Sequence, residues 1–194
     1  KNTNSNDVYE AHNINQIKKT SQKYDFKFFS SQEGNIEETT ACFLMLSNML
    51  DVPLRKESVI KILEENINKK TNYIGLDLCA AIAESIGLKT QIAKIPVNVF
   101  ERSITPLFFK DQSNKIYICF DVNKESVIIG DPTDQIKEIA LSEFHNFFSK
   151  EGFLEVLIFT KTARTPTKKF GLSWFKPSIK KHRKALTEVL IASI

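Results

Sequence analysis

No apolar run in this sequence reaches the ~18–20 residues that a membrane-spanning helix needs. Cysteine is scarce: there are three, an odd number with no C-x-x-C spacing, which argues against a disulfide framework and a structural zinc site. A reducing, cytoplasmic setting is therefore the expectation. Glycine is equally sparse, and six in 194 residues build neither a P-loop nor a dinucleotide-binding turn. There is no G-x-S-x-G for serine chemistry and no metal-ligand spacing. Histidine occurs three times, at His12, His145 and His182. No positively charged, then apolar, signal segment follows Lys1. Between Glu155 and Glu188 acidic residues are missing altogether.

What is present fits a soluble globular domain of ordinary size with tails. The chain is 42% hydrophobic and 26% charged, which excludes collagen-like, mucin-like and wholly disordered polymers. The acid-free stretch holds nine basic residues: Lys161, Arg164, Lys168, Lys169, Lys176, Lys180, Lys181, Arg183 and Lys184. The other 18 basic residues face 23 acidic ones, so the net charge of +4 hides a weakly acidic body and a basic C-terminal arm. Such blocks meet phosphates, of lipid head groups or of nucleic acid. The first residue is Lys1, and the chain stops inside the apolar stretch Ala192-Ser193-Ile194. The expectation is a fragment of a longer polypeptide.

Three zones follow along the chain. Residues 1–30, rich in Asn, Ser, Lys and Gln, read as a polar flexible extension whose Tyr24, Phe26, Phe28 and Phe29 dock its end onto the body. Residues 31–161 form the body. There Glu38 to Leu50 is apolar nearly all round and predicts a buried central helix. Glu57 to Asn66 predicts an amphipathic helix, and Gly75 to Ser85 a third, capped by Gly87. The period then changes: 90–95, 107–109, 115–120, 126–129 and 155–159 read as strands. A short helix over Ser142 to Phe148, with Ser142 as N-cap, interrupts them. Helices first and strands after predict an α+β fold with an antiparallel sheet. Residues 162–194 read as a basic linker and the start of a transmembrane domain. In that zone Pro177 opens a helix, preceded by Phe170, Trp174 and Phe175, and its last residues turn apolar. Aromatic and basic residues that cluster at a chain end turning apolar favour a membrane surface over nucleic acid.

The body has no recognisable catalytic constellation. A cysteine nucleophile needs a nearby His to form the thiolate and a third group to orient that His. His12 and His182 lie in the two tails, and no Asp follows His145. Cys42, Cys79 and Cys119 lie in apolar helical or strand runs and read as small core residues.

The order of elements nevertheless resembles the papain-like, double-glycine leader peptidase domain of bacterial ABC exporters. In that family a Gln lies six residues before an Asp-Cys-Gly that opens the central helix. A His opens a later strand, and an Asp-Pro closes the following hairpin. Aligning Ala41 to Leu46 with the family helix puts Gln32 on the oxyanion-hole Gln, Glu37 on the Asp, and Glu38 on the nucleophilic Cys. Counting back from Asp131-Pro132 puts Lys115 at the His, or Tyr117 after a two-residue slip, while Asp131 matches the orienting Asp. Further likeness comes from Tyr73 to Leu88, which ends in a Gly-Leu turn. The stretch Phe170-Gly-Leu-Ser-Trp-Phe-Lys-Pro resembles the approach to an exporter's first membrane helix.

The resemblance implies the degenerate, peptidase-like domain of a type I secretion exporter of the RTX toxin and adhesin class. Catalytic residues are then none, and Gln32, Glu38, Lys115, Tyr117 and Asp131 become candidates for substrate binding. Glu38 is expected to pair with Lys115. The implied partners are an unfolded secreted protein, the exporter's own transmembrane and ATPase domains, a second copy in a homodimer, and the membrane surface through residues 161–184, with no nucleic acid. No cofactor is expected in these residues, and ATP and Mg are expected in the ATPase domain. The implied location is the cytoplasmic face of the bacterial inner membrane. The alternative is an active cysteine peptidase, using Cys42, that cleaves a double-glycine leader.

Overall fold

A computed structural model describes residues 25–67, 73–149 and 151–167. Three helices come first: α1 (Asn35–Met49), α2 (Lys56–Asn66) and α3 (Leu76–Ser85). Six strands follow, β1 (Leu88–Pro96), β2 (Leu107–Lys110), β3 (Ile116–Val122), β4 (Ser126–Gly130), β5 (Ile136–Ala140) and β6 (Phe153–Lys161). A 3-10 turn over Val97–Arg102 follows β1, and α4 (Leu141–Phe148) joins β5 to β6. The strands form one sheet in the order β1-β6-β2-β3-β4-β5, every neighbouring pair antiparallel. This is the α+β, papain-like architecture. Among the described residues no helix is long and apolar enough to cross a membrane.

Both faces of the sheet are covered, and strand alternation sorts the side chains between them. Phe108, Ile116, Ile118, Phe120, Leu157 and Phe159 point toward the three N-terminal helices. Leu107, Phe109, Tyr117, Cys119, Val127 and Val156 point to the other side, against Phe100 and Phe144 of the 3-10 turn and α4. A strand buried on both faces loses its polar half, which is why β2 and β3 read as unbroken apolar runs. Helix α1 supplies Cys42, Phe43, Met45 and Leu46 to the first core, all fully buried. Phe43 meets Phe108 edge-on with ring centroids 5.1 Å apart.

Gly130, at the end of β4, lets α1 come close. A Cβ there would lie 2.8 Å from Ile118 Cγ2 and 3.0 Å from Met45 Sδ. Gly87, at φ 87°, ends α3 in the left-handed conformation that glycine adopts most cheaply. Phe26 stacks on Phe120 at 4.7 Å, and Phe28 and Phe29 also pack on the first core. Tyr24 lies outside the described residues, as do 168–194 with most of the basic arm. Thr165, in the stretch read as linker, donates to the Gly87 carbonyl at 2.6 Å.

Two expectations are corrected. Ser142 is not the N-cap of the short helix: Ala140 occupies that position without a side-chain cap, and β5 runs straight into α4. Its Leu141 N–H is instead satisfied by the Glu125 carbonyl at 2.9 Å. Strand β5 lies in a stretch for which the sequence predicts no strand. As an edge strand it sends Ile136 to one core and Ile139 to the other, leaving no period-two signal.

Candidate functional site

The site is built where α1 begins. Gly34, at φ 149°, precedes the helix, and its N–H donates to Glu38 Oε1 at 3.0 Å. The Glu38 N–H donates to the Gly34 carbonyl at 2.9 Å, the first backbone bond of the helix. The second carboxylate oxygen of Glu38 lies 3.3 Å from Lys115 Nζ. The expected pairing is therefore present. Glu38 sits at the positive end of a 15-residue helix, where a carboxylate is favoured.

Lys115 stands just before β3. Its ammonium donates to Asp131 Oδ1 at 3.0 Å and to Thr133 Oγ1 at 2.8 Å. Asp131 follows β4 in a tight turn, closed by Asp131 N–H on Gln135 O and by Asp134 N–H on Asp131 O. Its other oxygen accepts from Lys137 Nζ at 3.0 Å, and Lys137 also pairs with Asp134 at 2.9 Å. Glu38, Lys115 and Asp131 thus form a line that Lys137 and Asp134 extend. The Lys115 and Glu38 side chains are only 21% and 11% exposed.

Electrostatics favours the charged forms of Asp131 and Lys115. Burial opposes ionisation of Asp131, but hydrogen bonds from Lys137, Lys115 and Thr133 outweigh it and hold the carboxyl below its usual range. Burial likewise disfavours the Lys115 ammonium, yet Asp131 and Glu38 more than compensate and its pKa is raised. A lysine held this way is no general base near neutral pH, since the proton it would have to release is bound more tightly than usual.

Tyr117 is not at the position facing Asp131; Lys115 is. The tyrosine ring lies 5.1 Å beneath Lys115 Nζ and packs on Phe109 and Phe148, while its hydroxyl faces Asp111 Oδ2 at 3.4 Å. Burial pushes its pKa up. Gln32 is exposed and lines a groove with Glu37 and Thr40, on the face of α1 next to the one that presents Glu38. Cys42 is fully buried one turn further along, its thiol donating to the Ile116 carbonyl at 3.6 Å. Burial, then the nearby Cys79 and Glu38, push that thiol well above its ordinary pKa. His145 is on α4, beside the second core, and burial lowers its pKa. Among the described residues no cluster of His, Cys, Asp and Glu is arranged to hold a metal ion.

Reading the sequence missed Lys137, Thr133 and Asp134. The signal available was Asp131-Pro-Thr-Asp134, a turn-forming run with a lysine three residues beyond it.

A buried helix that presents its N-terminus to an antiparallel sheet, opposite a strand-opening residue and a hairpin-closing acid, defines a papain-like cysteine-peptidase domain. Here the first two groups are Glu38 and Lys115. The chain belongs to the peptidase C39 family, whose sequence profile matches residues 26–163. No curated protein sequence matches it. The fold is similar to that of a double-glycine-motif protease from an AMS/PCAT transporter, solved in complex with the leader peptide. That likeness has a TM-score of 0.57 at 18% identity and covers 71% of this chain and 92% of the other. It is also similar to the N-terminal peptidase C39-like domain of the toxin secretion ATP-binding protein from Vibrio parahaemolyticus. There the TM-score is 0.51 at 10% identity, covering 68% of this chain and all of the other. At these identities the likeness is one of fold.

Proposed function

We propose that this is a C39 peptidase-like domain of an ABC exporter that has given up proteolysis and holds an unfolded secreted protein for export. The observation that carries this reading is the Glu38–Lys115–Asp131 line at the places the resemblance gives to nucleophile, base and orienting acid. A carboxylate already paired with an ammonium forms no thioester and takes no proton from a nucleophile. The buried Cys42 thiol, lying against a backbone carbonyl, supports the same reading and weighs against the active-peptidase alternative. Structures of this fold come from a transporter protease and a toxin secretion ATP-binding protein, which supports an exporter context. On this reading the domain lies at the cytoplasmic face of a bacterial inner membrane. It precedes transmembrane and ATPase domains that supply ATP and Mg chemistry, and two copies assemble. The exported protein is of the RTX type.

The test is a pull-down by the 194-residue chain of an RTX-type repeat fragment, folded with calcium and unfolded without it. Retention of the unfolded fragment alone, at full length, is the expected result. A shortened product overturns the loss of proteolysis, and no retention of either form overturns the receptor role.

A further inference from the structure

The described part of the chain ends against the last turn of α3. Thr165 is 8% exposed, and its hydroxyl accepts from the Thr162 N–H at 2.7 Å while it donates to the Gly87 carbonyl. Pro166 packs on Gly87 so closely that a Cβ there would lie 2.9 Å from the proline Cδ. These contacts fix where the chain leaves the fold. Beside that exit lies a groove of about 370 Å³ between α2 and α3, walled by Leu54, Val59, Ile62, Ile82 and Ile86, with Ser58 at its rim. Leu54, Ile62 and Ile86 are only half-buried, so the groove presents aliphatic surface. Ile86 directly precedes Gly87, and the end of the groove therefore adjoins the exit.

The sequence beyond Thr167 is Lys168-Lys169-Phe170-Gly171-Leu172-Ser173-Trp174-Phe175. Phe170 is three residues past Thr167 and so lies within ~10 Å of it, while Phe175 has a reach of ~26–29 Å. The α2 side of the groove, from Arg55 to Ile62, is ~10 Å long and falls inside that reach. Charge matches as well. The last turn of α3 carries Glu84 and no basic residue, and a helix C-terminus is the negative end of its dipole. Lys168 and Lys169 follow at the point where the chain passes that end.

We infer that the aromatic segment Phe170–Phe175 of this chain docks in the α2–α3 groove, its rings lying on Leu54, Ile62 and Ile86. An aromatic side chain buries about 150–250 Å², and a short tether supplies it at an effective concentration of about millimolar. The contact goes beyond the receptor reading and needs no cargo. It gives the basic run from Lys176 to Lys184 one starting point, on the helical side of the sheet, and so one orientation of the body on whatever surface the arm meets.

Trp174 is the single tryptophan, so its fluorescence reports on this segment alone. In the 194-residue chain, without lipid, its emission is expected to be blue-shifted, shielded from acrylamide and independent of protein concentration. Ile86→Glu puts a charge in the wall and is expected to lower the docked population about tenfold, the equivalent of one apolar contact. Emission and quenching should then move to those of an exposed tryptophan. A second arm leaves the groove wall intact: Ser58→Cys is labelled with bimane, which tryptophan quenches on near contact. Cys42, Cys79 and Cys119 are buried and stay unlabelled. Adding Trp174→Phe is expected to brighten the bimane. If Ile86→Glu fails to fold, the bimane pair decides alone. An exposed tryptophan in the unaltered chain overturns the docking. So does shielding that survives Ile86→Glu in a folded protein, or a bimane signal indifferent to Trp174→Phe. Shielding that fades on dilution gives the groove to a second copy's segment and overturns the contact within one chain.

Discussion

Lys115 neutralises two carboxylates at once, so its loss leaves both Glu38 and Asp131 less compensated in a half-buried setting. Removing one partner of a fully buried pair costs about 3–5 kcal/mol, and exposure reduces that here. Lys115→Met is expected to destabilise the chain by about 1–3 kcal/mol in urea titration, with Lys137 still holding one oxygen of Asp131. The pH dependence has a fixed sign. Asp131 ionises more readily folded than unfolded, so its contribution is present above the ordinary carboxylate pKa of about 4 and is lost as pH falls through the depressed folded value. In Asp131→Asn this acid-side loss should shrink, which stability curves between neutral pH and pH 2 would reveal. Glu38→Cys places a thiol beside the Lys115 ammonium at the start of α1, both of which favour the thiolate. Iodoacetamide should alkylate it with a midpoint below the free-cysteine value of about 8.5, while Cys42 stays unreactive. A midpoint at or above that value would remove Lys115 from this pairing. Glu38, Lys115 and Asp131 were legible because the motif spacing of a known family picks them out. Lys137 was not, because its role depends on the turn it reaches only after folding.

At the scale of elements, legibility followed burial. The Ala41–Leu46 stretch of α1, Leu107–Phe109 of β2 and Ile116–Phe120 of β3 are enclosed on nearly all sides, so these stretches are apolar and announce themselves. Strand β5 meets each core with a single isoleucine, and α4 starts without a side-chain cap, so neither β5 nor the start of α4 leaves a local pattern. The closest packing lies where these classes meet, at Gly130. There α1 approaches the β3–β4 hairpin so nearly that a methyl group has no room, its Cβ position lying 2.9 Å from Phe120 Cε2. Gly130→Ala is therefore expected to cost about 1–3 kcal/mol by overpacking. Its denaturant midpoint should drop while the slope stays constant, because the surface exposed on unfolding is unchanged. A neutral Gly130→Ala would mean that α1 and the hairpin yield easily, and the Glu38–Lys115 geometry they position would be correspondingly soft.

For the whole chain the dominant asymmetry is charge. Nine basic residues between Glu155 and Glu188 meet no acid, and the remaining 185 positions carry more acid than base. A net charge of +4 spread evenly would bind phosphates weakly; nine basic residues gathered without an acid at one end bind them locally. If the arm meets lipid head groups, each Lys or Arg near the surface contributes about 1 kcal/mol, and salt screens the attraction within a Debye length. The 194-residue chain is then expected to float with phosphatidylserine vesicles at low salt and to stay behind with phosphatidylcholine vesicles. Replacing Lys180, Lys181, Arg183 and Lys184 by Gln should weaken the attachment at least about tenfold. Duplex DNA separates the rival partner. Retention on DNA at physiological salt, as tight as on vesicles and lost with the same four substitutions, would turn the arm into a nucleic-acid contact. Vesicle binding without DNA retention would make the arm a membrane contact that holds the acidic body close to a lipid surface.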